Sequence, residues 1–388
     1  MLSLLFIQIF KIFTGDPIFT VENQLAIPRA EVLSISMDQI KKLFGKNFNP
    51  LAIEVLELGS NTPTLTQWTD MDQDGSFDEL LFFAELKKNE IKKYQLILKT
   101  EDIETPASKK RTFGRYVPER IDDFAWENDK VAFRTYGPEA QRLVEENRPG
   151  GTLTSGIDAW LKRVEYPIID KWYKTYTEGG SYHTDSGEGY DPYHVGDSRG
   201  IGGIGIWLDD SLFVSKNFVQ YKVLANGPLR TVFELTYKPW KAGESLIEET
   251  KRISLDLGSH LFLMEASISN PDALPNVTTG ITLHDKKGMI HSDINEGWIS
   301  YWESIDDSNL GTGIVTNPKN IIQKLEVKTD IKDQSHIYLI MNPKAKISYY
   351  AGFGWEKAGD FSSAHQWNQY LKTFAEQLKS PLRITFNK

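Results

Sequence analysis

The chain contains no cysteine. That excludes a disulfide, a thiolate nucleophile, a cysteine-ligated zinc and a lipoprotein anchor, while leaving either redox compartment open. No apolar run approaches the roughly 20 residues that a membrane-spanning helix needs. Basic residues are in deficit: 44 Lys and Arg stand against 53 Asp and Glu, a formal charge of −9. Without a global basic field there is nothing to gather a polyphosphate, so nucleic acid is not an expected partner. No fixed-period repeat is visible either. What is present is 388 residues with an apolar fraction of 40%. At roughly 150 residues per domain, that length allows two or three domains with substantial cores.

Residues 2–13, LSLLFIQIFKIF, form an apolar run interrupted by Lys11, of the length of a signal-peptide core. No basic segment precedes it and no clear small-residue cleavage site follows, so a buried first strand competes with a signal. The signal, over residues 1–16, is the preferred reading and carries the expectation of a periplasmic or secreted protein.

From residue 18 to residue 99 the pattern is short β-branched segments separated by turns: IFTVEN, EVLSISM, LAIEVLEL, ELLFFAEL and KYQLILKT, with one short helix at DQIKKLF. This predicts a small β-sandwich over residues 17–105. The mixed-charge, aperiodic stretch 101–115 reads as the interdomain linker. Residues 106–388 carry many further strand-like runs, and helical periodicity is confined mainly to 156–173 and 363–379. So many strands exceed what one open sheet holds without curling or splitting. The expected class is therefore all-β, with a large antiparallel two-sheet domain after the small one.

Four constellations could carry chemistry. In TDMDQDGSFDEL, Asp70, Asp72, Asp74 and Asp78 occupy positions 1, 3, 5 and 9 of a loop with Gly75 at position 6. Carboxylates alternating on a tight turn converge, and a hard cation relieves their repulsion. The helical flanks and the position-12 glutamate of an EF-hand are absent, so the expectation is a structural Ca2+ between strands, against the alternative of a solvated acidic turn. In SRGIGGIGIW, Gly200, Gly202 and Gly205 spell GxGxxG, but no hydrophobic strand precedes them and no helix follows. No nucleotide cofactor is expected. Residues 181–200, SYHTDSGEGYDPYHVGDSRG, form a long polar loop with two of the seven histidines. Its His183, Asp185, Glu188, Tyr190, Tyr193, His194 and Arg199 include potential acids, bases and orienting carboxylates. Tyrosines and histidines that merely pack such a loop down are the competing reading. Finally, ten tryptophans are many for this length, and Trp126, Trp298, Trp302, Trp355 and Trp367 sit beside polar or glycine-rich turns. Flat rings beside hydrogen-bonding groups suit sugars, although some must be core residues of a sandwich.

The stretches DMDQDGSFDELLF, RIDDFAWENDKVAFRTYGP, YHTDSGEGYDPYHVG, NGPLRTVFELTY, GWISYWE and YYAGFGWEKAGDF resemble, in order, a bacterial family of polysaccharide-utilisation loci, DUF4861. They cover most of residues 17–375. The resemblance implies a large domain similar to the galactose-mutarotase-like supersandwich. It also implies dehydration of the non-reducing-end uronic acid of ulvan-type oligosaccharides to a 4,5-unsaturated sugar. Such an elimination needs a base for the C5 proton, an acid for the departing 4-hydroxyl and a cation on the carboxylate. On this reading His183 and Tyr190 are the acid and base in either order. Arg134 and Arg199 clamp the carboxylate, Asp185 and Glu188 orient the histidine, and Trp302, Trp355, Tyr193 and His194 bind the anionic oligosaccharide. A structural ion pair, with Glu127 or Asp129, is the competing role for Arg134. A polysaccharide lyase using the same machinery, and a glycan-binding protein without catalysis, are the alternatives. The sequence leaves oligomeric state open.

Overall fold

The computed structural model describes residues 16–99 and 108–386. The signal-like run at 2–13 and residues 101–107 of the expected linker lie outside the described residues. The described residues form two compact units: 16–69, 75–99 and 381–386 make one, and 70–74 with 108–380 make the other.

The smaller unit has two sheets. One has the strand order Arg383–Phe386, Ile18–Glu22, Ile91–Leu98, Ile53–Glu57, Thr62–Pro63; the other has Arg29–Ser36, Glu79–Leu86, Thr66–Thr69. Period-two alternation puts Phe19 and Val21 of IFTVE inside, where they meet Val55, Phe82 and Leu96. The helix Met37–Phe44 starts where the Ser36 hydroxyl accepts the Gln39 N–H at 3.3 Å, and it buries Ile40 in the same core. The expectation that residues 106–388 form one domain is corrected at its end. Residues 383–386 pair with the first strand, Phe386 opposite Phe19. Four residues of RITF are too short a run for sequence periodicity to assign to a distant sheet.

The larger unit is built from three main sheets, and every strand pair in them is antiparallel. An eight-stranded sheet has the order Phe218–Asn226, Arg230–Tyr237, Glu249–Asp256, Leu261–Ile268, Lys346–Trp355, Ser308–Val315, Trp298–Ile305, Met289–Asp293. Two five-stranded sheets run Ser211–Phe213, Ile201–Leu208, Val277–Thr282, His336–Met341, Ile321–Val327, and Gly189–Tyr190, Asp158–Lys162, Ala132–Tyr136, Asp123–Glu127, Phe113–Val117. One continuous apolar cluster joins them through Phe133, Leu161, Ile204, Phe262, Leu339 and Phe353. The all-β class and the sandwich architecture are as expected. The helix Ala364–Lys379, capped by the Ser363 hydroxyl, covers the outer face of the eight-stranded sheet with Trp367 and Leu371.

Two local expectations change. The strand Phe113–Val117 overlaps the end of the expected linker, its alternation obscured by Arg115. The stretch 156–173 is a strand, Asp158–Lys162, followed by a helix, Ile169–Thr177. The strand is buried on both faces, so its sequence shows no alternation that distinguishes it from a buried helix. The helix begins where the buried Glu127 carboxylate accepts the N–H groups of Ile168 and Ile169, both at 2.9 Å. Among the described residues no helix is long and apolar enough to cross a membrane.

Candidate functional site

The loop 181–200 reaches the second five-stranded sheet as its edge strand, Gly189–Tyr190, with Tyr190 opposite Leu161. The approach is close: a Cβ on Gly189, at φ 115°, would stand 2.0 Å from the Leu161 carbonyl oxygen, so only glycine fits. Successive side chains then point to opposite faces. Tyr190 packs with Leu161 and Trp355 in the main core. Asp191 joins Arg134, Asp158 and Tyr182 on the other side of the strand.

That second face is a closed polar cluster. Arg134, 4% exposed, directs Nε (2.9 Å) and Nη2 (2.5 Å) at one oxygen of Asp158, Nη2 again at Asp191 (2.8 Å) and Nη1 at the Tyr182 hydroxyl (3.1 Å). Tyr136 donates to the same Asp158 oxygen at 2.8 Å. Burial pushes Asp123 up to about 6 and Asp191 well above the carboxylate range, both against the pull of Arg134. The guanidinium is thus engaged by carboxylates of the protein, and the expected substrate clamp at Arg134 is corrected to a structural ion pair. Its partners are Asp158 and Asp191 rather than the expected Glu127 or Asp129, and Glu127 pairs instead with Lys162. Half-exposed His183 holds its Nδ1 2.8 Å from the Asp191 carbonyl oxygen. The expected orienting residues lie elsewhere: Asp185 pairs with Arg163, and Glu188 accepts from Lys171 at 2.6 Å and from the Tyr166 hydroxyl. His183 and Tyr190 are associated with opposite faces of one strand, so the structure does not assemble them as an acid–base pair.

The other face meets the inner side of the eight-stranded sheet. Glu303 lies opposite Leu310, and Leu310 opposite Trp355, so the three share a face in one row about 10 Å long. Above this row stand the loop residues. The Tyr190 ring is 5.9 Å from Trp355, and its hydroxyl donates to Asp306 at 2.7 Å. Asp306 is exposed at the tip of the hairpin that joins Ile305 to Ser308, at φ 47°, a conformation aspartate tolerates. Burial, with the Asp306 hydrogen bond adding to it, raises the Tyr190 pKa and keeps the phenol protonated. The Arg163 guanidinium lies 5.5 Å above the Trp355 ring. It donates to the Gly187 carbonyl and Asp185, and its Nη1 makes no hydrogen bond among the described residues. Two strands away, Tyr193 packs edge-to-face on His284, whose Nδ1 is 2.7 Å from Glu303. His194 Nε2 is 3.1 Å from Asp333.

Burial corrects three further expectations. Arg199 is 3% exposed, held by Ser155 (3.0 Å) and Thr154 (3.3 Å), and is closed off from any substrate. Trp302, 5% exposed, packs beneath the Ala364–Lys379 helix on the outer face of the sheet. Trp355, 1% exposed, forms the floor under Tyr190 and Arg163 and offers no open ring for a sugar. Arg163, Asp306, His284 and Glu303 were not singled out from the sequence. Asp306 sits in an acidic turn and His284 at a strand end, and neither carries a local motif.

In the acidic loop, one carboxylate oxygen from each of Asp70, Asp72 and Asp78 lies within 4.8 Å of the others. Asp74 is not in that group; its N–H donates to Asp72 at 3.1 Å. The glycine run 200–205 leads along a strand, Ile201–Leu208, and no helix N-terminus follows it. Gly200, at φ 55°, abuts Ile157, where a Cβ would fall 2.0 Å from the carbonyl oxygen.

The fold of the chain is similar to that of larger solved structures. The chain superimposes on an alpha-mannosidase from Enterococcus faecalis V583 with a TM-score of 0.54 at 10% identity, over 97% of this chain and 46% of that one. A glycosyl hydrolase family 38 protein from Enterococcus faecalis matches with the same TM-score and identity, over 97% and 48%. The chain thus spans about half the length of these solved structures, and at this identity the likeness is one of fold. The chain belongs to the family described as domain of unknown function DUF4861, whose model matches residues 21–384. A relative from Formosa agariphila, named uncharacterized protein P7, is 44% identical over 373 residues, covering 95% of this chain and 93% of that protein.

Proposed function

We propose that the protein is a carbohydrate-active enzyme that removes water across C4 and C5 of a non-reducing-end uronic acid on an oligosaccharide. The carrying observation is the Tyr190 hydroxyl hydrogen-bonded to the exposed Asp306 carboxylate beside the Arg163 guanidinium, with Trp355 as floor. Family membership and a fold shared with enzymes that act on sugars support the substrate class. Asp306 accepts the C5 proton, and the C4–O bond breaks as Tyr190 gives its proton to the departing hydroxyl, which leaves as water. The proton on Asp306 then returns to Tyr190 along their hydrogen bond, restoring both groups. Arg163 meets the uronate carboxylate and stabilises the charge that develops at C5.

Incubation with uronate-ended oligosaccharides tests this reading. Loss of one water by mass, a new ultraviolet absorbance and no increase in reducing ends support it. Reducing ends that rise in step with the absorbance identify a polysaccharide lyase instead, and binding without chemical change identifies a glycan-binding protein. The loop from Asp70 to Asp78 is proposed to hold a structural Ca2+, its three converging carboxylates being the supporting geometry.

A further inference from the structure

His284 lies between two acceptors. Its Nδ1 is 2.7 Å from a Glu303 carboxylate oxygen and its Nε2 is 2.9 Å from the His194 carbonyl oxygen. A carbonyl oxygen carries no proton, so Nε2 donates to it, and with Glu303 ionised Nδ1 donates as well. The ring is then an imidazolium, and the buried Glu303 is its counter-charge. From geometry we infer that His284 is a positioning residue: its imidazolium ties the loop carrying Tyr190 to the inner-face row, and its deprotonation releases that loop. This rests on reading the loop as catalytic, but the tie itself can be measured without activity.

Burial raises the Glu303 carboxyl above its ordinary value, while the hydrogen bond and charge of His284 pull it back down, so the two groups compete for one proton. Glu303 approaches from the strand beneath, Tyr193 and His194 from the loop and Asp333 from the 331–334 turn, with Asp285 next to it in its own segment. His336, from the neighbouring sheet, is pushed down to about 3 by burial and by Arg199, so it stays neutral and adds no competing charge. Burial by itself lowers the His284 pKa, but the Glu303 hydrogen bond and charge outweigh it, and the net direction is upward from 6.5. A raised histidine pKa means that the tie is complete below 6.5 and is lost as pH rises through the folded value. Tyr190 is four residues before the tied carbonyl, so slack at His194 is transmitted to the phenol.

Nitrogen-15 spectra of the full chain with labelled histidine test the tie, with the His284→Gln variant assigning the signal. The expected result is protonated-type shifts for both nitrogens of His284 at pH 6, with deprotonation above 6.5. One unprotonated nitrogen at pH 6 overturns the proposal, because Glu303 would then hold the proton. Amide exchange of residues 193–197, corrected for its intrinsic pH dependence, should accelerate through the same transition in the wild type and be fast throughout in His284→Gln. Equal exchange in both proteins at every pH also overturns it. If the enzyme is active, the alkaline fall in kcat should follow the His284 transition and disappear in His284→Gln. A purely structural role would lower thermal stability and leave that limb in place. Absence of dehydratase activity with an intact tie refutes the proposed function and leaves the tie standing.

Discussion

Tyr190 and Asp191 are adjacent in the chain, yet their side chains serve opposite faces of one sheet: Tyr190 donates to Asp306 at 2.7 Å, whereas Asp191 accepts from Arg134 at 2.8 Å. The period-two rule therefore divides the loop into a face that can meet substrate and a face closed by ion pairs. Only the first brings a hydroxyl, an exposed carboxylate and a guanidinium together.

Variants on the two faces should separate cleanly. Tyr190→Phe removes the proton donor and should lower kcat by about 100-fold or more, the usual weight of general acid catalysis. His183→Ala should stay within a few-fold of wild type. Steady-state kinetics with both proteins at matched thermal stability check this, and the opposite ranking moves the chemistry to the His183 face.

Arg134→Met should fail as a folded protein or lose stability on the order of 3–5 kcal/mol, because it leaves the buried Asp158 without its cation and Asp191 without its hydrogen-bond donor. Urea unfolding measures the loss. If Arg134 instead gripped substrate, the variant would keep wild-type stability and raise KM.

Asp360 accepts from Lys130 at 3.0 Å and faces His260 Nε2 at 3.3 Å. The His260 hydrogen bond, against burial, holds its pKa down at about 2. A depressed carboxylate pKa contributes stability that is present above the unfolded value, 3.8, and is lost as pH falls through the folded one. Asp360→Asn should therefore be less stable than wild type at pH 6, with the difference shrinking below pH 3. Thermal unfolding across that range checks it; a difference that does not change with pH rules out the ionised pair as its source.

The acidic loop should make stability calcium-dependent, since an ion bound only by the folded chain stabilises it by mass action. Chelator should lower Tm in the wild type and have no effect on Asp72→Ala. An unchanged wild-type Tm identifies the loop as a solvated acidic turn.

Local sequence determined the strand segments, the capped helices at 37–44 and 364–379 and the all-β class, because alternation, caps and turn residues act within a few positions. It also located the polar loop 181–200, since an aperiodic glycine-spaced run on a β scaffold is visible without a partner. It could not assign RITF to the first sheet or separate strand from helix near residue 158, because pairing with residues hundreds of positions away, or burial on both faces, leaves no periodic trace. Which loop residues face each other was decided by tertiary structure alone. Register at the Gly189–Tyr190 edge sent Tyr190 to Asp306 and Asp191 to Arg134, and the row Glu303, Leu310, Trp355 exists only where three strands align. Burial, a property of packing rather than of residue type, turned Arg134, Arg199, Trp302 and Trp355 from expected contacts of a sugar into parts of the frame beneath it.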